Sequence, residues 1–227
     1  GRLPIIAGGT GLYVRAVVEG FGLHHAQPDP GVRKELESRE LGSLVEELLA
    51  AEPDAGTRVD LRNPRRVIRA VEIIRAGGMT EAQVSQPRYD VLQVGLTWPR
   101  PVLYQRIDER LRHRLEHGMI DEVRRLLQRG VAPEVLDSLG LEYRHILRYV
   151  QGEYRTAEEL YDGLRFAIHA FARRQITWFR KAEGIVWLDS AGDYRAEAER
   201  LVSSFLAGRA LDARRGIDDI VGAPGGR

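Results

Sequence analysis

The sequence contains no cysteine, which removes disulfides and thiolate metal sites as sources of stability or chemistry. It has no apolar run near the ~20 residues needed to span a bilayer, and no basic-then-apolar signal opens the chain. No membrane partner is expected, and a reducing cytoplasm is consistent with the missing thiols. His24 and His25, and separately His113 and His117 at i, i+4, lack an HExxH frame and a matching third ligand. No metal ligand is assigned, and solvated or hydrogen-bonded histidines are the expected state. No Ser-His-Asp arrangement has supporting context. The first residue is Gly1 rather than methionine, followed almost at once by the strand-like run Leu3-Pro4-Ile5-Ile6-Ala7. That opening reads as a fragment whose N-terminal part is absent.

What is present suffices for one sizeable core plus a smaller lobe: 227 residues, 43% hydrophobic and 30% charged. The net charge of +1 conceals segregation. Between Asp29 and Asp60 nine acids face four bases, whereas Leu164 to Ala182 holds five bases and no acid. Arg62 to Arg75 holds five arginines against Glu72. Such a division suits a molecule with one face toward a polyanion and another toward water. Ordinary variation in an arginine-rich surface is the competing account.

Periodicity and stop signals predict the elements. Pro4 to Ala7 reads as a strand, Gly8-Gly9-Thr10-Gly11 as a tight turn, and Leu12 to about Gly20 as a helix. Asp29-Pro30 and Asn63-Pro64 are helix starts, with a break expected near Gly42 and an end at Gly77-Gly78. Val91 to Trp98 alternates as a strand. Pro101 opens a long helix, interrupted at Gly118. Thr156 with Glu159 is a capping box for a helix toward Trp178, followed by a strand over 184–189 and a helix over 191–206. Residues 207–227, rich in Gly, Arg and Asp, read as a disordered tail. Three strands separated by helices indicate an α/β fold with a largely parallel sheet, short of strands that would lie upstream.

Two sets of residues could carry chemistry. Strand–GGTG–helix lets backbone approach an anion at a helix N-terminus, with the Thr10 hydroxyl at the same end. Taken alone, a plain connection with Thr10 as N-cap explains it as well. Arg106, Arg110 and Arg114 at i, i+4, i+8 share one helix side and suit phosphate, although pairing with Asp108, Glu109 or Glu116 would account for the same spacing. Arg65-Arg66-Val67-Ile68-Arg69 and Arg173-Arg174-Gln175-Ile176-Thr177-Trp178-Phe179-Arg180 mix arginine with apolar or aromatic residues, a combination that suits RNA. For Ile176, Trp178 and Phe179, core positions are the favoured reading.

In order along the chain, PIIAGGTGLYVRAVVEG (Pro4 to Gly20), DPGVR (Asp29 to Arg33), NPRRVIRAVE (Asn63 to Glu72), RIDERLRHRLEHGMIDEVRRL (Arg106 to Leu126), GLEYR (Gly140 to Arg144) and RRQITWFR (Arg173 to Arg180) together resemble the tRNA dimethylallyltransferase, or isopentenyltransferase, family of bacterial type. The resemblance spans roughly residues 1 to 206. It implies a P-loop-NTPase-like α/β fold with a parallel sheet, its N-terminal strands missing. The core would be residues 1–28 and 80–206, with an inserted helical tRNA-binding lobe at 29–79. It implies transfer of a dimethylallyl group from dimethylallyl diphosphate to N6 of adenosine 37, with Mg²⁺, on an adenine flipped from the anticodon stem-loop. The family's nucleotide-binding (ATP-type) phosphate loop and general base would precede Gly1, so the fragment alone is expected to be inactive. The resemblance makes Thr10 and Arg110 catalytic, meeting one diphosphate, with Gly8, Gly9 and Gly11 beside it. It places tRNA on Arg33, Arg65, Arg66, Arg69, Tyr143, Arg144, Arg173, Arg174, Gln175, Trp178 and Arg180. A monomer is expected. Near Tyr143 many members have a shorter Gly-Tyr-Lys/Arg, whereas Leu141 and Glu142 intervene here. The alternatives are an adenylate isopentenyltransferase acting on free nucleotide and a non-catalytic RNA-binding module.

Overall fold

The computed structural model describes residues 3–20, 29–78, 87–209 and 216–222. The chain divides into two compact units, Gly1–Asp90 and Val91–Arg227, and each is described on its own.

In the first unit, α1 (Gly11–Val18), α2 (Pro30–Glu37), α3 (Leu41–Ala51) and α4 (Pro64–Arg75) are joined by turns, including a 3-10 turn at Ala55–Thr57. The helix starts follow the caps. The Asp29 carboxylate accepts from the amides of Gly31 and Val32 at 2.7 and 3.2 Å, with Pro30 in the first turn. Asn63 Oδ1 accepts from the Arg66 amide at 3.3 Å. The chain breaks at 38–40, ahead of Gly42, which lies inside α3. Gly77, at φ 75°, ends α4 as expected, and the Gly78 amide donates back to the Ile73 carbonyl. Leu36, Leu44, Leu48, Val67 and Val71 are fully buried in one cluster. Each contributes about 1.5–3 kcal/mol by leaving water. The lobe expected at 29–79 thus has a hydrophobic core of its own.

The strand expected at Pro4 to Ala7 does not form. Residues 3–8 are irregular, and Ile5 is 83% exposed. Strand geometry needs a neighbour to take its amides and carbonyls; among the described residues the only paired strands are two in the second unit, bonded to each other.

Those strands are β1 (Gln93–Thr97) and β2 (Ile185–Asp189), parallel and in register from Gln93↔Ile185 to Thr97↔Asp189. A parallel pair requires a long crossover. Here it consists of α5 (Arg100–Arg114), a π-helical turn at Leu115–Met119, α6 (Ile120–Gln128), α7 (Pro133–Ser138), α8 (Leu141–Val150) and α9 (Ala157–Arg180). The fold is therefore mostly helical with a small parallel sheet, of α/β class, and has two strands among the described residues where sequence periodicity predicts three. The Thr156 hydroxyl caps α9 by accepting from the Glu159 amide at 3.1 Å, while the Glu159 carboxylate accepts from the Arg155 amide at 2.7 Å. Leu111, Leu164 and Ile168 hold α5 to α9, and Val123, Leu136, Ile146 and Leu160 hold α6 to α9 together.

After β2, α10 (Tyr194–Leu206) places Leu201 against Val186 and Leu188. The disordered tail expected at 207–227 needs correcting in part. Residues 218–221 form α11 (Asp218–Val221), with Ile217 and Val221 buried against Trp187. Bonds from Arg180 to Asp218 and to the Gly222 carbonyl add to that docking.

Candidate functional site

In the first unit, the Gly8–Gly11 turn leads into α1, whose first turn is closed by the Tyr13 and Val14 amides donating to the Thr10 carbonyl. Thr10 therefore occupies the N-cap position, yet its hydroxyl makes no capping hydrogen bond. The side chain is exposed at a helix N-terminus, where backbone N–H groups and the helix dipole favour an anion. A Cβ built on Gly8 meets nothing within 4 Å, so space around the turn is open.

α4 presents Arg65 and Arg66 to solvent, and Arg62 is exposed in the turn before it; Arg65 and Arg66 have no carboxylate partner among the described residues. Arg33 and Arg69 differ. The Arg33 guanidinium grips the Glu72 carboxylate in a two-pronged pair, Nε to Oε1 at 2.5 Å and Nη2 to Oε2 at 2.7 Å. Arg69 adds a third bond at 3.1 Å. The Glu72 side chain is 4% exposed, and its carboxyl is held below the ordinary range, chiefly by the Arg33 hydrogen bond and then by Arg69, against the opposing effect of burial. Two of the four arginines expected on RNA in this unit are thus committed to a buried acid. The sequence signal for this was Glu72 itself, the lone acid in an arginine run.

In the second unit the three aligned arginines of α5 have separate fates. Arg106 lies over the Trp98 ring at 4.5 Å, and Arg114 reaches Glu142 at 3.0 Å. Arg110 is exposed and has no ion pair among the described residues. Pairing with Asp108, Glu109 or Glu116, the competing account of this spacing, is not what these arginines do. Asp108 instead accepts from His169 Nε2 at 2.7 Å, with Tyr104 stacked on the imidazole.

Near the α7–α8 turn, Tyr143 donates its hydroxyl to Glu122 at 2.7 Å, and Arg144 binds both the carboxylate and the carbonyl of Asp137. These polar groups are occupied inside the unit. On α9, Arg173 and Arg174 are exposed without carboxylate partners among the described residues, and Arg174 lies 5.8 Å from the Phe171 ring. Gln175 is half-buried. Ile176 and Phe179 pack beside Trp187, as core positions should. Trp178 does not, being 40% exposed. At 100° per residue it falls on the side of Leu160 and Leu164, so its exposure is not a matter of helical spacing. Arg180 donates through Nε to Asp218 at 2.5 Å and through Nη2 to the Gly222 carbonyl at 3.1 Å.

Among the described residues no three His, Asp or Glu side chains converge as metal ligands. His117 bonds the His113 carbonyl through Nδ1 and lies against the His113 ring at a 35° tilt, in keeping with hydrogen-bonded histidines. His24 and His25 lie outside the described residues. No helix among the described residues is long and apolar enough to cross a membrane.

Comparison with known proteins gives these positions a context. The profile of a family described as IPP transferase matches residues 1–182. A protein of Trichlorobacter lovleyi called tRNA dimethylallyltransferase 2 is 42% identical over 214 residues, covering 91% of this chain and 69% of the relative. A tRNA dimethylallyltransferase of Thermomicrobium roseum is 41% identical, covering 90% of this chain and 64% of its own length. The chain thus spans about two thirds of the length of these relatives. Among solved structures, a tRNA isopentenylpyrophosphate transferase of Bacillus halodurans is 34% identical with a TM-score of 0.55, covering 88% of this chain and 64% of that one.

Proposed function

This chain belongs to the IPP transferase family, and from that premise we propose that it serves transfer of a dimethylallyl group from dimethylallyl diphosphate to N6 of adenosine 37 in the anticodon stem-loop of tRNA, as a single chain in the cytoplasm. In that reaction the allylic C–O bond breaks, a C–N bond forms to N6, the N6 proton is lost, and the diphosphate departs. Negative charge on the departing oxygen grows in the transition state, and donors aimed at it accelerate the step.

Two residues are assigned to that charge. The Thr10 hydroxyl, uncommitted at a helix N-terminus, and the Arg110 guanidinium each donate to the diphosphate. Arg110 carries the assignment: of the three aligned arginines of α5 it is the one with neither an aromatic nor a carboxylate partner among the described residues. Gly8, Gly9 and Gly11 allow backbone approach to the same anion. The Thr10 hydroxyl is a hard oxygen donor of the kind Mg²⁺ accepts, and that ion commonly keeps waters and takes its remaining oxygens from substrate phosphate. When bound it would neutralise phosphate charge beside Thr10.

For tRNA, Arg65, Arg66, Arg173, Arg174 and Trp178 supply exposed cations and an open ring. Arg33 and Arg69 serve Glu72 on α4, Arg180 ties α9 to Asp218, and Tyr143 and Arg144 brace α8 against α6 and α7. Gln175 stays with the binding set. The test is single-turnover transfer, with saturating stem-loop RNA, in an enzyme carrying the family's phosphate-loop segment. Arg110→Ala lowers the rate by about 10²–10³, while Arg174→Ala raises the KM for RNA and leaves the chemical step nearly intact. A near-normal single-turnover rate in Arg110→Ala would show that residue to be an ordinary surface cation.

A further inference from the structure

Where α5 gives way to α6 the backbone opens. His117 (φ −100°, ψ 31°) and Gly118 (φ 93°, ψ 15°) leave helical geometry within the π turn. Glycine is favoured there by its positive φ and not by crowding, since a Cβ would meet nothing within 4 Å. The turn forms a cleft of about 280 Å³ whose walls are His113 and Arg114 from α5, His117 from the turn, and Glu122 and Arg125 from α6.

The lining of this cleft is rich in N–H donors. Two guanidiniums and two imidazoles line it against one lining carboxylate, Glu122, which already accepts the Tyr143 hydroxyl, while Glu142 pairs with Arg114. Arg125 is exposed and has no ion pair among the described residues. Arg114 uses one N–H on Glu142 in a partly exposed pair, which leaves other donors of its fork available. At 100° per residue Arg106, Arg110 and Arg114 fall within an arc of about 80° on α5, so the cleft closes the end of a cationic helix face.

We propose that this cleft binds a phosphodiester of the RNA strand, held between Arg114 and Arg125. The inference rests on the tRNA reading above and adds to it a contact on the α5–α6 turn, outside the basic runs of α4 and α9. Glu122 selects the ligand: a carboxylate beside the site opposes a multiply charged diphosphate more strongly than a phosphodiester bearing one charge. Arginine pairs on either side suit the two free oxygens of such a group.

The experiment is fluorescence anisotropy of an anticodon stem-loop RNA with this chain, measured across a salt series, with far-UV circular dichroism to verify folding. Arg125→Ala weakens binding and reduces the magnitude of the log–log salt slope by about 0.7–0.9, the loss expected for one phosphate. Arg125→Lys, which keeps the charge, retains the slope. An unchanged slope in Arg125→Ala, with Arg174→Ala still weakening binding, overturns the cleft and leaves the tRNA reading standing. No stem-loop binding by the parent chain overturns both. Titration with inorganic pyrophosphate completes the test: if Arg125→Ala abolishes that binding while the RNA slope is kept, the cleft serves the small anion and the proposal fails.

Discussion

Glu72 turns an arginine-rich helix into two populations of arginine. Buried on α4, it needs cations to remain charged, and Arg33 and Arg69 supply them; Arg65 and Arg66 stay exposed. Removing one partner of a buried pair leaves an incompletely satisfied charge. Arg33→Ala is therefore expected to destabilise the chain by about 1–3 kcal/mol, reduced from a fully buried case because Arg33 is itself 40% exposed. Arg65→Ala should stay within about 0.5 kcal/mol of the parent in stability while weakening RNA binding. Urea unfolding and stem-loop anisotropy on the two variants separate the roles; equal stability losses would refute the division.

The residue scale also shows where sequence reading stopped. That Asn63, Thr156 and Asp29 start helices was legible, because a cap is a local contract between one side chain and amides two or three residues on. Trp178 was misjudged. Helical spacing alone did not separate it from Ile176 and Phe179, and only packing beside Trp187 decided which were covered.

At the scale of elements, the close approach of β1 and β2 depends on Gly95. A Cβ there would lie 2.5 Å from the Trp187 ring, which is 9% exposed and held by Phe179, Ile217 and Val221. The ring has little room to move, so Gly95→Ala should cost about 1–3 kcal/mol through overpacking. A thermal midpoint equal to the parent's would show that the ring yields. Alternation marked residues 93–97 as a strand, but the partner that demands glycine lies on a strand 92 positions later by register, beyond any local signal. The opposite error occurred at Pro4 to Ala7. There the apolar run was legible as a strand, and what failed was the ladder, because pairing is a tertiary property.

At the scale of the whole chain, ionic ties bind the helices of the first unit. Arg75 reaches both Glu35 and Glu47, and Arg39 also holds Glu47. The Glu47 carboxyl is lowered from 4.5 to about 2, first by the Arg75 hydrogen bonds and then by Arg39, against desolvation. A depressed folded-state pKa contributes stability above the unfolded value, and that contribution fades as pH falls from about 4.5 toward 2. Thermal unfolding followed by circular dichroism should therefore be flat in this term above pH 5 and decline below 4.5. Glu47→Gln should lessen the acid decline; an unchanged slope would remove Glu47 from the account.

The sequence by itself determined the starts of α2, α4 and α9, the α/β class, the family and the distribution of charge, because each is written in neighbouring residues or in motif order. Tertiary structure alone decided which charges are spent. Arg33 lies 39 positions from Glu72, Arg114 lies 28 from Glu142 and Arg180 lies 38 from Asp218. An arginine's availability to RNA depends on whether folding delivers a carboxylate to it. That is set by how helices pack around Leu36, Leu48 and Val67 in one unit and Leu111, Leu164 and Ile168 in the other, and no local spacing encodes it.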